Sequence, residues 1–333
     1  MVCTVVLTIL WGMVINYYWD YLHTPSHELI GNKPTAVNAL KETGLPFSFL
    51  VVADTHNSGI LENLIPSALR KVTPSFIVIN GDIVRRPDIW HHRFFLVEIA
   101  GEIKPSCPVF LTVGNHDIDY PPTMKIKRED LRVTPEIYES LYGAMNLDFV
   151  FNNCLFIMCG FDPQNPTAYL SYLRNVLSQK GANRTHIFVF IHSPPPELAK
   201  HLNAFLPCGK EFFSLLESYR VTTCFFGHHH GYWRGAKNGV NYIVSGGGGG
   251  ALKPDGFHHL LRITVTPDKI AEEIITTQEI NKLENWFEEW VFTHIFPVFQ
   301  NSIWLLYLIF VILLIISVRL LLSVVRNYKH RDR

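Results

Sequence analysis

Val109-Phe110-Leu111-Thr112-Val113-Gly114-Asn115-His116-Asp117 is the stretch that sets the fold class of this chain. A β-prone, mostly apolar run stops at a glycine, and an amide, an imidazole and a carboxylate follow in succession. Runs of this kind read as buried strands. A β-prone run that leads into candidate ligands recurs four more times. Phe47 to Ala53 leads to Asp54-Thr55-His56, and Phe76 to Ile79 leads to Gly81-Asp82. Ile187 to Ile191 leads to His192-Ser193, and Cys224 to Phe226 leads to Gly227-His228-His229-His230. In α/β sheets, ligands bind in the crevice outside the carboxyl ends of the strands. Residues far apart in this sequence are therefore expected to share one site.

Each block alone carries little information. An isolated histidine is usually a satisfied core or surface residue, and His23, His27, His91 and His186 read that way. The joint pattern differs, because the blocks occur in order, each after a strand-like run. Together they offer carboxylate, imidazole and amide ligands. No cysteine is among them, which favours hard or borderline cations.

In this order the blocks resemble those of the calcineurin-like metallophosphoesterases, whose pattern is D-x-H, G-D, G-N-H-[DE], H and G-H-x-H. Every position is matched, with His229 as the variable residue. The resemblance covers Leu45 to Val265. It implies an α/β fold of two stacked mixed β-sheets flanked by helices. It implies that Asp54, His56, Asp82 and His230 bind one divalent metal. Asp82, Asn115, His192 and His228 would bind a second, with Asp82 as the bridge. A bridging carboxylate suits two dications that repel each other. Manganese, iron and zinc lead, and magnesium also fits. Two metals about 3.5–4 Å apart polarise phosphoryl oxygens and hold a hydroxide that attacks phosphorus in line. His116 is implied to sit beside the leaving-group oxygen as general acid. Asp117 then reads either as a hydrogen-bonding partner that orients His116 or as a turn residue.

Hydrophobic residues make up 48% and charged residues 17%, which suggests a globular domain plus membrane segments. Lys+Arg and Asp+Glu both number 29, so no global basic field attracts nucleic acid. The six cysteines form no CxxC pair, which argues against a zinc ribbon or a thioredoxin-type redox site. Cys154 and Cys224 lie in apolar runs and read as core.

Ile303 to Val318 is an unbroken apolar run that reaches Val325 if Arg319 snorkels, giving a second membrane span over 302–325. Val2 to Trp19 is uncharged, lacks a basic start, and ends in Asn16-Tyr17-Tyr18-Trp19, a poor cleavage site. An uncleaved anchor over 1–19 is the preferred reading. Residues 20–44, with Pro25, Gly31, Pro34 and Gly44, read as a linker or a segment wrapped on the domain. The phosphoesterase domain is expected over 45–270. Trp286, Phe287, Trp290, Phe292, Phe296 and Phe299 mark an aromatic juxtamembrane segment over 271–301. Two readings fit it, an interfacial helix or an amphipathic helix packed on the domain. Arg326, Lys329, Arg331 and Arg333 make 326–333 a basic tail. The positive-inside rule places it in the cytoplasm and residues 20–300 outside.

Arg85 and Arg86 follow Asp82 and read as a phosphate clamp or a solvated loop pair. Gly246 to Gly250 reads as a close backbone approach to the site or as a flexible turn. Asn183-Arg184-Thr185 is a glycosylation sequon. The expected protein is a membrane-anchored two-metal phosphoesterase that hydrolyses a phosphodiester, lipid-linked or a phospholipid headgroup. By general arrangement the two spans resemble phosphodiesterases that remodel lipid-linked glycans. A soluble, including cyclic, nucleotide is the alternative substrate. A catalytically silent membrane-tethered interaction module is the alternative of another class, against which the complete ligand set argues.

Overall fold

The apolar runs that lead into the ligand blocks form central strands, and residues covered on both faces must be apolar throughout. The structure, a computed structural model, describes residues 2–121, 125–202, 204–254, 256–277 and 282–331. Arg333 of the basic tail and residues 122–124 lie outside them. The chain opens with helices α1 (Val2–Leu22) and α2 (Pro34–Asn38), then β1 (Phe47–Val52), α3 (Ile60–Leu69), β2 (Ile77–Asn80), α4 (Ile89–Leu96) and β3 (Val109–Thr112). There follow α5 (Pro135–Tyr142), β4 (Leu147–Phe151), β5 (Cys154–Cys159), α6 (Ala168–Lys180), β6 (His186–Ile191), α7 (Gly209–Ser218) and β7 (Thr223–Phe226). The remainder comprises β8 (Tyr232–Lys237), β9 (Val240–Ser245), β10 (His259–Val265), β11 (Ile270–Thr276), α8 (Lys282–Trp290), α9 (Phe296–Phe299) and α10 (Trp304–Arg331).

Two mixed sheets result, ordered β11-β10-β1-β2-β3 and β4-β5-β6-β7-β9-β8. In the first, β1, β2 and β3 run parallel, with Val52 opposite Ile79 and Asn80 opposite Thr112. That register brings the loops bearing Asp54, Asp82 and Asn115 out at one level. In the second, parallel β6 and β7 pair Phe190 with Phe225, so His192 and His228 leave their strands side by side. The β4–β5 and β8–β9 hairpins turn on Asn152-Asn153 and Asn238-Gly239, all four at positive φ, as two-residue hairpin turns demand.

A layer of phenylalanines joins the sheets. Phe49 stacks on Phe76 at 5.1 Å, Phe156 on Phe188 at 5.0 Å, and Phe190 on Phe225 at 4.9 Å. Burying each ring contributes about 1.5–3 kcal/mol, so this layer fixes the relative position of the two sheets and of the ligands each carries. Helices α3 and α5, with the α4 region, cover the outer face of the first sheet, and α6 and α7 cover that of the second. Asp88 caps α4 by accepting from the Trp90 and His91 amides, and Thr134 caps α5 through the Ile137 amide. All six cysteines are free thiols.

Three segments differ from, or resolve, the sequence expectation. The first sheet continues past residue 270, because β11 pairs with β10 over seven residues. Its half-exposed alternation hides it from a search for apolar runs. Residues 20–44 are wrapped on the domain: the Asn32 side chain donates to the Leu111 and Ala144 carbonyls, both at 2.8 Å. The aromatic segment before α10 packs partly on the domain. Phe292 and Phe296 are buried against Phe94, Trp90 and Tyr18, while Leu283, Trp286, Trp290 and Val298 stay exposed.

Helices α1 and α10 pack antiparallel. Thr8 Oγ1 lies 2.8 Å from Ser317 Oγ, and Trp11 Nε1 donates to the Leu306 carbonyl at 2.8 Å. Both are long and apolar enough to cross a membrane. Only 11% of either apolar stretch is buried within the chain, unlike a core helix.

Candidate metal centre

The ligand blocks are turns at strand ends, and the backbone is left-handed at five of the expected ligands. Asp54, His56, Asp82, His228 and His230 have φ of 60°, 53°, 51°, 65° and 34°. Such conformations cost roughly 1–3 kcal/mol each and persist where the surroundings over-determine them. Here the Asp54 amide bonds the Gly81 carbonyl at 3.0 Å, and the His56 amide bonds that of Asp82 at 3.1 Å. Gly81 adopts φ 85°, and a side chain there would collide with the His192 ring.

The two sheets bring the blocks together. One donor atom each from Asp54, His56, Asp82 and His230 lie within 4.8 Å of one another, and those of Asp82, His192 and His228 do likewise. Asp82 belongs to both groups. Its Oδ2 lies 3.5 Å from His56 Nε2 and 3.2 Å from His192 Nε2. Asp54 Oδ1 lies 3.3 Å from His230 Nε2. The Asn80 carbonyl accepts from His192 Nδ1 at 2.9 Å, and the Ala251 carbonyl from His230 Nδ1 at 2.8 Å. A carbonyl only accepts, so both rings carry a proton on Nδ1 and turn Nε2 toward the crevice, where it would face a bound cation.

These residues fit a pair of divalent cations. Asp54 Oδ1, Asn115 Oδ1, His56 Nε2 and His192 Nε2 are buried yet make no hydrogen bond. Each buried polar atom left unbonded costs about 1–3 kcal/mol. Three of these atoms, Asp54 Oδ1, His56 Nε2 and His192 Nε2, belong to the clustered residues and are accounted for by cations that carboxylate and imidazole donors bind well. The electrostatics agree. Burial pulls the His192 pKa down, but the Asp82 and Asp54 carboxylates outweigh it and raise the pKa to about 10. Burial opposes ionisation of Asp82 too, yet His192 and His56 hold its pKa well below the usual carboxylate range. Burial and the charge on His192 lower His228 to about 4. The pocket thus favours positive charge between its carboxylates.

His116 stands beside this group, its ring centroid 4.8 Å from that of His56. Asp117 does not orient it. The Asp117 carboxylate instead accepts from the backbone amides of Asp82 (3.0 Å), Ile83 (2.8 Å) and Gly114 (2.7 Å), pinning two ligand loops together. Burial and the neighbouring Asp82 push its pKa up to about 7. The His116 ring is held by the Arg85 carbonyl, 2.7 Å from Nδ1. Since that carbonyl must accept, Nε2 is left to exchange a proton.

Other residues of the site carry no motif. Asn80 ends β2 and reaches across the sheets, its Nδ2 donating to the Phe225 carbonyl at 3.1 Å while Thr112 Oγ1 donates to its Oδ1 at 2.6 Å. A polar residue closing an apolar run was its only signal. Gly248 and Gly250 donate their amides to the Ala53 and Asp54 carbonyls at 2.9 and 2.8 Å, and a Cβ on Gly250 would lie 2.8 Å from the His230 ring. The glycine run is therefore a close backbone approach. Arg85 pairs with Glu289 of α8 at 3.4 Å, and Glu289 also faces His91 at 3.8 Å. A surface cavity of about 570 Å³ opens at the amino ends of β1, β2 and β3 and touches none of the expected ligands.

Two mixed sheets with carboxylate–histidine clusters at their carboxyl ends define a metal-dependent phosphoester hydrolase. The model of the calcineurin-like phosphoesterase family matches residues 47–232, and the chain belongs to that family. Among solved structures it is similar to a purple acid phosphatase from yellow lupin (Lupinus luteus) seeds, with TM-score 0.53 and 14% identity over 70% of this chain. The chain spans about half (52%) of the lupin enzyme's length. It is also similar to a dimetal phosphatase from Danio rerio, with TM-score 0.51 and 16% identity over 70% of this chain and 97% of that one. Likeness at this identity is likeness of fold. No curated protein matches the chain.

Proposed function

We propose that this is a membrane-anchored phosphodiesterase acting on a lipid-linked phosphate or a phospholipid headgroup on the non-cytoplasmic side. The observation that carries the reading is the contact between juxtamembrane helix and crevice. Glu289 of α8 holds the Arg85 guanidinium, and the Arg85 carbonyl holds the His116 ring. The segment that leads into α10 thus forms part of the rim of the metal centre, which keeps the crevice close to any bilayer that α1 and α10 span. Tethering of this kind raises the effective concentration of a lipid substrate without any new contact. The exposed Trp286, Trp290 and Trp304 suit the headgroup level of such a bilayer.

In this reading Asp54, His56, Asp82 and His230 would hold one metal, and Asp82, Asn115, His192 and His228 the other. The metal pair, when bound, supplies Lewis acidity to the phosphoryl oxygens and a nucleophile from water at neutral pH. The chain does the rest. The Asn80 and Ala251 carbonyls fix the tautomers of His192 and His230. Asp117 fixes the Asp82 and Gly114 loops through three amides. His116, with Nδ1 committed to Arg85, delivers the Nε2 proton to the departing alkoxide. That alkoxide leaves poorly unprotonated, which favours ester bonds to ordinary alcohols as substrates.

The test is hydrolysis in mixed micelles by the full chain. Phospholipid or lipid-linked sugar phosphate should be cleaved with higher kcat/KM than its water-soluble headgroup analogue. A cyclic nucleotide outperforming every lipid would move the reading to soluble nucleotides.

A further inference from the structure

Two cavities flank the metal centre, one against each ligand cluster. The first, about 300 Å³, lies between the glycine run and α8. Gly250, which packs on His230, and Arg85 form its inner wall. Trp286 and Asn285 form its outer wall. Asn285 Nδ2 is buried there and makes no hydrogen bond. Leu283, Trp286 and Trp290 share one exposed face of α8, so an apolar surface runs from this cavity along the helix that leads to α9 and α10. The second cavity, about 330 Å³, begins at Gly114 and Asn115. Its far side is aromatic. Phe205 lies edge-on to His228 at 4.8 Å and to Phe161 at 5.4 Å. Lys125 is its cation, with Nζ 3.4 Å from the Asn115 carbonyl. Asp119 also lines it, but that carboxylate is already engaged by the Ile126 amide at 3.2 Å and by Arg132 at 3.6 Å.

We infer that the two cavities hold the two alcohol arms of one phosphodiester: the lipid arm against α8, and a cyclic polyol headgroup, a sugar or inositol, against Phe161, Phe205 and Lys125. This rests on the phosphodiester reading above. A monoester has one arm and would leave one cavity unused. The α8 cavity suits the arm that continues into a bilayer, because its outer wall is an aromatic residue on the face leading to the spans. The polar Asn285 amide suits an ester or hydroxyl oxygen at the root of that arm. The second cavity lies against the other cluster. Aromatic rings pack on the C–H faces of ring polyols, and an ammonium donates to their hydroxyls. Lys125 disfavours a cationic choline or ethanolamine headgroup by like-charge repulsion.

The probes are phosphatidylinositol, glycerophosphoinositol (the same headgroup without acyl chains) and phosphatidylethanolamine, with the full chain in mixed micelles and manganese. Phosphatidylinositol should be preferred to phosphatidylethanolamine. Phe161→Ala should raise KM for both inositol substrates by a similar factor, about tenfold for the loss of one ring contact. Trp286→Ala should raise KM for phosphatidylinositol by a like factor and move glycerophosphoinositol far less. Asn285→Leu, which leaves the exposed face of α8 intact, should follow Trp286→Ala. Manganese content equal to the parent's controls for folding of each variant. If diesters are cleaved but the variants do not sort by arm, or if ethanolamine is preferred, the assignment of the cavities is wrong while the diesterase reading stands. If only monoesters are cleaved, both fail.

Discussion

Asp82 sits where both ligand clusters meet, so one side chain governs the whole centre. Asp82→Asn removes one anionic oxygen from each cluster, and elemental analysis of the purified variant should show both metals depleted. Near-stoichiometric double occupancy would falsify the shared role. His116 predicts the opposite dissociation of binding from rate. His116→Gln should keep its metals but lose roughly 10²–10⁴ in kcat on alkyl esters, the range for a general acid. Nitrophenyl esters, whose leaving group needs little protonation, should lose much less; an equal loss on both would remove His116 from that step. The identities of these residues were legible in the sequence because strand periodicity and block order are local. Their left-handed backbone was not, nor was the work of Asp117. A Gly-Asn-His-Asp run places Asp117 beside His116 in sequence, whereas the turn directs its carboxylate to amides 33–35 residues away. Asn80 escaped for the same reason, since its partners lie on β3, β6 and β7.

At the scale of elements, the sequence shows strands and long apolar helices where a single pattern persists, and misses contacts that need the fold. The half-exposed β11 and the seating of α8 on the crevice rim are of the second kind. So is the carboxyl group buried where α4 continues as a π-helical stretch, Val97–Ile103. Glu98 there is fully buried, with Oε2 3.4 Å from Asn57 Nδ2 and Oε1 without a hydrogen bond. Burial, and then the charges of Glu62, Glu102 and Glu288 around it, raise its pKa well above the usual carboxylate value. The folded state therefore keeps a proton that the unfolded chain releases above its ordinary glutamate pKa. Stability from this group is fully present below that value and falls as pH rises toward the folded pKa. Glu98→Gln, neutral at every pH, should raise the melting temperature by a few degrees at pH 8, about 2–4 °C for each kcal/mol in a chain of this size. The gain should shrink toward pH 5. A gain independent of pH would mean that Glu98 is already ionised in the fold.

For the whole molecule, the antiparallel contact of α1 with α10 decides which ends can be reached together. Thr8 lies against Ser317 and Trp11 against Leu306, so the chain's two ends emerge on one side of the helix pair and residues 23–303 on the other. On the proposed reading, Arg326 in the last turns of α10 and the basic residues beyond it in sequence choose the side. Positive charge favours the cytoplasm, which on that reading would place the catalytic domain on the other side. In sealed vesicles with the cytoplasmic face out, added protease should remove only an epitope fused after residue 333. In inverted vesicles it should digest the domain and spare that epitope. An epitope fused before Met1 should behave as the C-terminal one does, which separates a retained anchor from a leader that is removed. Digestion of domain and tail from the same face would overturn the two-span arrangement. It would also remove the reason for expecting a lipid at the metal centre, because α8 would then hang from one anchored end and the crevice would no longer be held at the height of the headgroups.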